Sequence, residues 1–385
     1  MLELLAQARP AGGAALDQVA IATGAALLVT AALLWLGMGH RSGKVARLGR
    51  WARQAERVSG LPAWVAIPSA LMSVSLIVAL FGMLWDISLH IAQGRDEGPL
   101  ANAAHYFILF GLFGVFAAGF LAMCLPEDKP SRVAVKLAPG WYAPLGGVLI
   151  AAAGTFALIG FPLDDVWHRL FGQDVTLWGP THLMLIGGAA MALIGQAVLF
   201  VEAGAAPIGS RLSLPGAFLL GLSTFQAEFD FGVPQFQLVF HPMLVMLAAG
   251  VSLVAARIWL GRGAALGAAV FFLLVRGIIA LIVDPTPYFP LYLVEALLVE
   301  LIALRVRRPL PLALWSGLAL GTVGLAAEWG WTHLFMPLPW SAALLPAGLA
   351  MAIAASCVGA WLGTRLAHDR APLRVDFNAL EARLR

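Results

Sequence analysis

Charged side chains are scarce in this sequence. Of its 385 residues only 12% are Asp, Glu, Lys or Arg and 61% are hydrophobic; soluble globular domains run at about 25% charged and about 45–50% apolar. The mean hydropathy is +0.86. Those values exclude a soluble enzyme and a disordered chain. Cysteine is nearly absent as well. Cys124 and Cys357 are the only two, each inside an apolar run, so neither a disulfide framework nor a thiolate metal site can be assembled. Several short signatures are missing too: there is no P-loop, no dinucleotide glycine fingerprint, no nucleophile elbow and no HExxH helix.

What the chain does have is long apolar runs. A spanning helix takes about 20 apolar residues, and helices satisfy their own backbone hydrogen bonds in lipid. Runs at 19–38, 62–84, 104–124, 141–162, 178–201, 213–229, 236–256, 264–283, 287–304, 311–330 and 340–363 give eleven candidates. The expected fold is therefore all-α, a polytopic transmembrane bundle in contact with the lipid bilayer. The 41 glycines suit close helix contacts, since lipid leaves no hydrophobic drive between helices.

Charge placement orients the bundle. With the N-terminus outside and the C-terminus inside, 20 of the 24 Lys and Arg residues fall in inner connections or the inner tail. Arg9, Arg95 and Arg169 fall outside, and Arg276 lies within a span. That asymmetry follows the positive-inside rule. It assigns the basic excess to topology rather than to nucleic acid. The run before the first span carries Glu3 and Asp17, and His40, Arg41, Lys44 and Arg47 follow it, a stop-transfer flank rather than a cleaved signal peptide. The basic stretch Arg41 to Arg57 reads as a topological anchor or as an amphipathic helix on the inner surface. The location expected is a bacterial-type inner membrane, crossed many times.

Histidine carries the chemistry. His40 and His368 belong to the inner side; His90, His105, His168, His182, His241 and His333 fall at outer helix ends or loops. Two segments repeat one pattern: WDISLHIAQGRDEGPLANAAH from Trp85 to His105, and DDVWHRLFGQDVTLWGPTH from Asp164 to His182. At an offset of 78, Asp86 matches Asp164, His90 matches His168, Gly94 matches Gly172 and Asp96 matches Asp174; after one dropped residue, His105 matches His182. A duplicated helix hairpin is the natural reading. It divides the chain into a first span with a basic inner loop (1–61), the duplicated hairpins (62–201), the remaining bundle (202–363) and a cytoplasmic tail (364–385).

Asp and His at i, i+4 project from one helix face, and the later His returns at the mouth of the next span. One carboxylate oxygen and two imidazole nitrogens then converge. Such a set, without sulfur, suits copper, zinc or non-haem iron. The alternative is that these residues are caps and interfacial side chains at headgroup level. Asp164 alone keeps the spacing; Asp165 is expected as an acceptor behind an imidazole N–H. Trp85, Trp167, Trp178 and Phe171 are the expected walls of an adjoining pocket.

The second motif resembles that of the C subunit of the copper membrane monooxygenases, the particulate methane and ammonia monooxygenases. Asp164, Trp167, His168, Asp174, Thr176, Pro180, Thr181 and His182 carry the resemblance, which covers the hairpins between about 62 and 201. It implies copper on Asp164, His168 and His182. It also implies a second site of the Asn/His/His kind, which Asp86, His90 and His105 resemble with Asp for Asn. This sequence has one more residue between the motif histidines, and more spans, than that subunit. The implied activity is oxidation of a small apolar substrate with O2, with further membrane or periplasmic subunits as partners. Two other classes stay open: a protein that handles or transports copper or zinc, and a non-catalytic structural subunit. A transporter needs polar groups leading inward, and the second to seventh spans offer few besides Gln196, Ser223 and Gln226.

Glu228, Asp230 and His241 flank the turn at Pro234, while Glu328 and His333 precede the last span. Each is a candidate for completing a site or supporting it. Arg276 in the eighth span needs an ion-pair partner. Glu295, at similar depth in the ninth, is expected, with Glu300 as the alternative.

Overall fold

In the computed structural model, residues 15–94, 98–171, 176–204, 208–336 and 340–368 are described. The chain is a predominantly helical bundle. Its helices are α1 (Leu16–Arg41), α2 (Ala46–Ser59), α3 (Ala63–Gln93), α4 (Ala103–Cys124), α5 (Leu145–Phe171), α6 (Pro180–Ala203) and α7 (Ile208–Ser223). After a short irregular turn come α8 (His241–Leu260), α9 (Ala264–Ala280), α10 (Leu293–Arg305), α11 (Pro309–Phe335) and α12 (Leu345–His368). Among the described residues eight helices are long and apolar enough to cross a membrane. All eleven expected runs carry helix, but three of them, within 208–230, 264–280 and 293–305, fall short of that length.

The departures from the expected spans have local causes. Pro287 and Pro290 occupy the stretch read as the start of the ninth span, and proline removes the N–H that helix needs; α10 begins only at Leu293. Residues 213–229 do not form one helix: α7 ends at Ser223, and a 3-10 turn and a single helical turn lead to Asp230. The fourth span starts at Leu145, because Val135–Ala138 and Trp141–Ala143 pair as a small hairpin around Gly140, whose φ is +73°. Helices α3 and α5 in turn run past their expected ends to Gln93 and Phe171, keeping both Asp-x3-His motifs helical. A π-turn interrupts α11 at Leu320–Gly324.

Helix α2 carries Arg47, Arg50, Arg53 and Arg57, yet buries Leu48, Gly49 and Ala52 on one side and ends at left-handed Gly60. That is the amphipathic pattern of a surface-lying helix. The two motif-bearing hairpins α3–α4 and α5–α6 pack through α4 and α5. The approach is close: a Cβ on Gly119 would stand 2.2 Å from the Ala151 amide nitrogen of α5; within the second hairpin, one on Gly146 would stand 2.4 Å from the Leu199 amide nitrogen of α6. Glycine here lets two backbones touch. A second core gathers α8, α9, α10 and α12 around Val245, Phe272 and Tyr292.

Candidate metal centre

The two motifs form two compact clusters. In the second, His168 Nε2 lies 3.3 Å from Asp164 Oδ2, His182 Nε2 lies 3.5 Å from Asp164 Oδ1, and the two Nε2 atoms are 3.2 Å apart. In the first, Asp86 Oδ1 lies 3.3 Å from His90 Nε2 and 3.0 Å from His105 Nε2. Within each cluster all three donor atoms lie within 4.8 Å of one another. Metal bonds of ~2.0–2.2 Å to nitrogen and oxygen, at tetrahedral or square-planar angles, separate adjacent donors by ~3–3.5 Å. The residues fit a metal of that class.

The hairpin loops set the imidazoles. His105 Nδ1 bonds to the Pro99 carbonyl at 2.9 Å, and His182 Nδ1 bonds to the Thr176 carbonyl at 2.9 Å. A carbonyl only accepts, so each Nδ1 carries a hydrogen, and in the neutral ring that a metal requires the lone pair is then on Nε2, toward the cluster. Both carbonyls lie six residues before their histidine, so the repeat extends to this supporting bond. Asp164 Oδ1 is buried, with His182 Nε2 at 3.5 Å and no closer donor among the described residues, as suits an oxygen that can take a cation.

Three supporting residues were not singled out by motif spacing, or were only partly placed by it. Asn102 donates to Asp86 Oδ1 at 2.6 Å and caps α4 by accepting from the Ala104 amide; an Asn just before a helix is a signal that was available. Thr176 Oγ1 donates to Glu228 Oε2 at 2.8 Å, and the Leu177 amide donates to the same oxygen at 3.0 Å. The Phe236 amide donates to Glu228 Oε1. Glu228 thus clamps the loop whose Thr176 carbonyl orients His182.

The remaining candidates lie elsewhere. Asp165 does not accept from an imidazole; it pairs with Arg169 at 3.1 Å and accepts from the Ala15 amide at 3.2 Å. Asp174, like Asp96, lies outside the described residues. Asp230 receives Arg276 in a buried ion pair and accepts from Gln226 at 3.0 Å. Arg276 therefore does not pair with Glu295, and Glu300 is bound to Arg257 at 3.0 Å. The fragment after the break in the sixth run carries Asp230 to Arg276, a placement that helix-by-helix depth could not show. His241 is buried between the Gln226 side chain at 2.7 Å and the Trp340 indole at 2.6 Å. Glu328 accepts from the Leu291 and Tyr292 amides, and His333 is exposed, its Nδ1 on the Trp329 carbonyl.

A cavity of about 510 Å³ is lined by both clusters. Its walls are aliphatic, with Leu80, Met83, Leu112 and Leu193 among them, joined by Phe161 and Phe271. The expected aromatic walls are not there. Trp85 packs on Phe81 and Phe107, Trp167 on Phe171, and Trp178 stacks on Phe236 at 4.8 Å. The cavity reaches Ser73 and Gln196, whose side chains meet at 3.3 Å. Ser73 precedes Asp86 by 13 residues and Gln196 follows His182 by 14. At 1.5 Å per helical residue the cavity extends ~20 Å along the bundle. Its carboxylates and imidazoles all sit at the cluster end; beyond them the polar lining is Ser73, Gln196 and Ser213.

Comparison with family models, with curated proteins and with solved structures finds no match to this chain.

Proposed function

We propose that this chain is a multi-pass membrane metalloprotein, a copper-bearing subunit of a membrane monooxygenase. Asp164, His168 and His182 would hold one copper, and Asp86, His90 and His105 a second, at the outer face of a bacterial-type inner membrane. The observation that carries the reading is the cavity: two oxygen-and-nitrogen donor sets open into one aliphatic chamber of about 510 Å³. A chamber of that lining favours a small apolar substrate. Bound copper would supply O2 activation. The chain's own residues would exclude water, hold the substrate against Leu and Met side chains, and keep both Nε2 lone pairs aimed inward through the Pro99 and Thr176 carbonyls. Transfer of metal through the membrane is a poorer account, because no carboxylate, imidazole or thiol lines the deeper cavity among the described residues.

Protein purified without chelators should contain copper and give a Cu(II) paramagnetic resonance signal with nitrogen coupling. Addition of a small alkane with a reductant should then raise copper-dependent O2 uptake. Zinc alone, with no such signal, would overturn the copper assignment. Copper without substrate-dependent O2 uptake, even with partner subunits restored, would overturn the oxidase chemistry.

A further inference from the structure

A second polar centre lies in the C-terminal half, apart from both donor clusters. Glu295 on α10 is fully buried, and among the described residues no donor of another residue reaches either of its carboxylate oxygens. Glu328, on α11, is 3% exposed. Gly324, one turn before Glu328, packs on the Glu295 side chain, and a Cβ there would stand 3.0 Å from Glu295 Oε1. Residues four apart on a helix share a face, so Glu328 lies on the same face of α11 as Gly324, the face packed against Glu295, and the two carboxyls are neighbours. Both belong to the junction between the start of α10 and the π-turn of α11, and π-turns cluster at functional positions.

The pair is asymmetric. Tyr292 has φ +57°, a left-handed conformation that a bulky side chain rarely adopts. With that turn, the successive amides of Leu291 and Tyr292 both point at Glu328 Oε1, at 3.0 and 2.9 Å. Two adjacent amides converging in this way form an anion-binding nest. Glu328 is therefore provided with two amide donors for a negative charge, while among the described residues no other residue's donor reaches Glu295. Among the described residues no cation left over from another ion pair offsets a second charge. Arg276 is taken by Asp230 and Arg257 by Glu300. The charged groups that act on the adjoining Tyr292 are Glu328, Asp230 and Glu295, all acidic. Two adjacent carboxylates in an apolar interior would repel and go unsolvated.

We propose that Glu295 and Glu328 form a buried proton-binding pair, in which Glu295 carries the proton and donates it to Glu328, held as the anion in the Leu291–Tyr292 nest. The ligand is a proton, taken up without any change in covalent bonds other than the O–H formed on Glu295. The site is independent of the metal reading and stands whether or not the donor clusters bind copper.

Infrared spectroscopy of the full chain in detergent tests it. Protein carrying carboxyl-13C glutamate should show a protonated-acid carbonyl band that moves with the isotope and again in D2O. Glu295→Gln should lose the band. Glu328→Gln should keep it, shifted, and His168→Ala should leave it unchanged. Carbodiimide modification of the unsubstituted protein, mapped by peptide mass spectrometry, gives a reading that depends on no variant: the adduct is expected on Glu295. Absence of a glutamate band in the unsubstituted protein overturns the proposal. Loss of the band in Glu328→Gln but not in Glu295→Gln overturns the assignment of the proton. Loss of the band on adding Na+ or Ca2+ at constant pH makes the pair a cation site and overturns it as well.

Discussion

The Nε2 atoms of His168 and His182 face each other at 3.2 Å, with the carboxylate of Asp164 closing the third side. One histidine ends α5 and the other begins α6, so the contact depends on two helices arriving at the same height. The His90 and His105 rings come together on Asp86 in the same way.

His168→Ala should remove roughly one of two metal equivalents, and His90→Ala the other. His333→Ala should remove none, because that ring is exposed and turned to the Trp329 carbonyl. Metal analysis of the three purified variants checks this; equal metal content in all three would refute the donor assignment.

Glu228→Gln should weaken metal binding at the second cluster by ~10–100-fold, the usual effect of losing a supporting partner of a ligand. An amide has one acceptor oxygen, and Glu228 uses two, one for Thr176 and Leu177 and one for Phe236. The first cluster, which this residue does not support, should keep its affinity. Competition titrations against a chelator, read on each single-site background, measure both.

Asp230→Asn should destabilise the protein by roughly 3–5 kcal/mol, since it strands Arg276 in the interior. Asp230→Leu combined with Arg276→Met should recover much of that loss. Unfolding of detergent-solubilised protein provides the comparison. A single substitution without cost would mean that Arg276 is stabilised elsewhere.

Gly119→Ala should cost stability by about 1–3 kcal/mol through overpacking, because the added carbon would meet the α5 backbone at 2.2 Å. Gly187→Ala is the control, with nothing within 4 Å of the new atom. Equal melting temperatures for the two variants would contradict the close α4–α5 contact.

A reporter fused after Arg385 should be active in the cytoplasm, as the inner bias of Lys and Arg requires. A periplasmic signal would invert the bundle and place both clusters on the inner side.

Much of this protein is set locally and so can be read along the chain. Apolar runs of bilayer length mark helices at all eleven expected places, and two residues spaced four apart on a helix share a face whatever surrounds them. Asp86 with His90 and Asp164 with His168 therefore follow from the primary structure, and the repeat at offset 78 points to their two distant partners. Tertiary structure decided what depends on how helices rotate and on where they break. Depth along two helices suggested Glu295 for Arg276, yet the interrupted segment after Ser223 brings Asp230 to it instead. The Pro99 and Thr176 carbonyls, and Glu228 behind them, reach the imidazoles only because the loops fold back over the helix ends. The aliphatic chamber arises because Trp85, Trp167 and Trp178 pack against phenylalanines rather than inward. Periodicity fixes which side chains share a helix face; only packing across helices settles which groups that face meets.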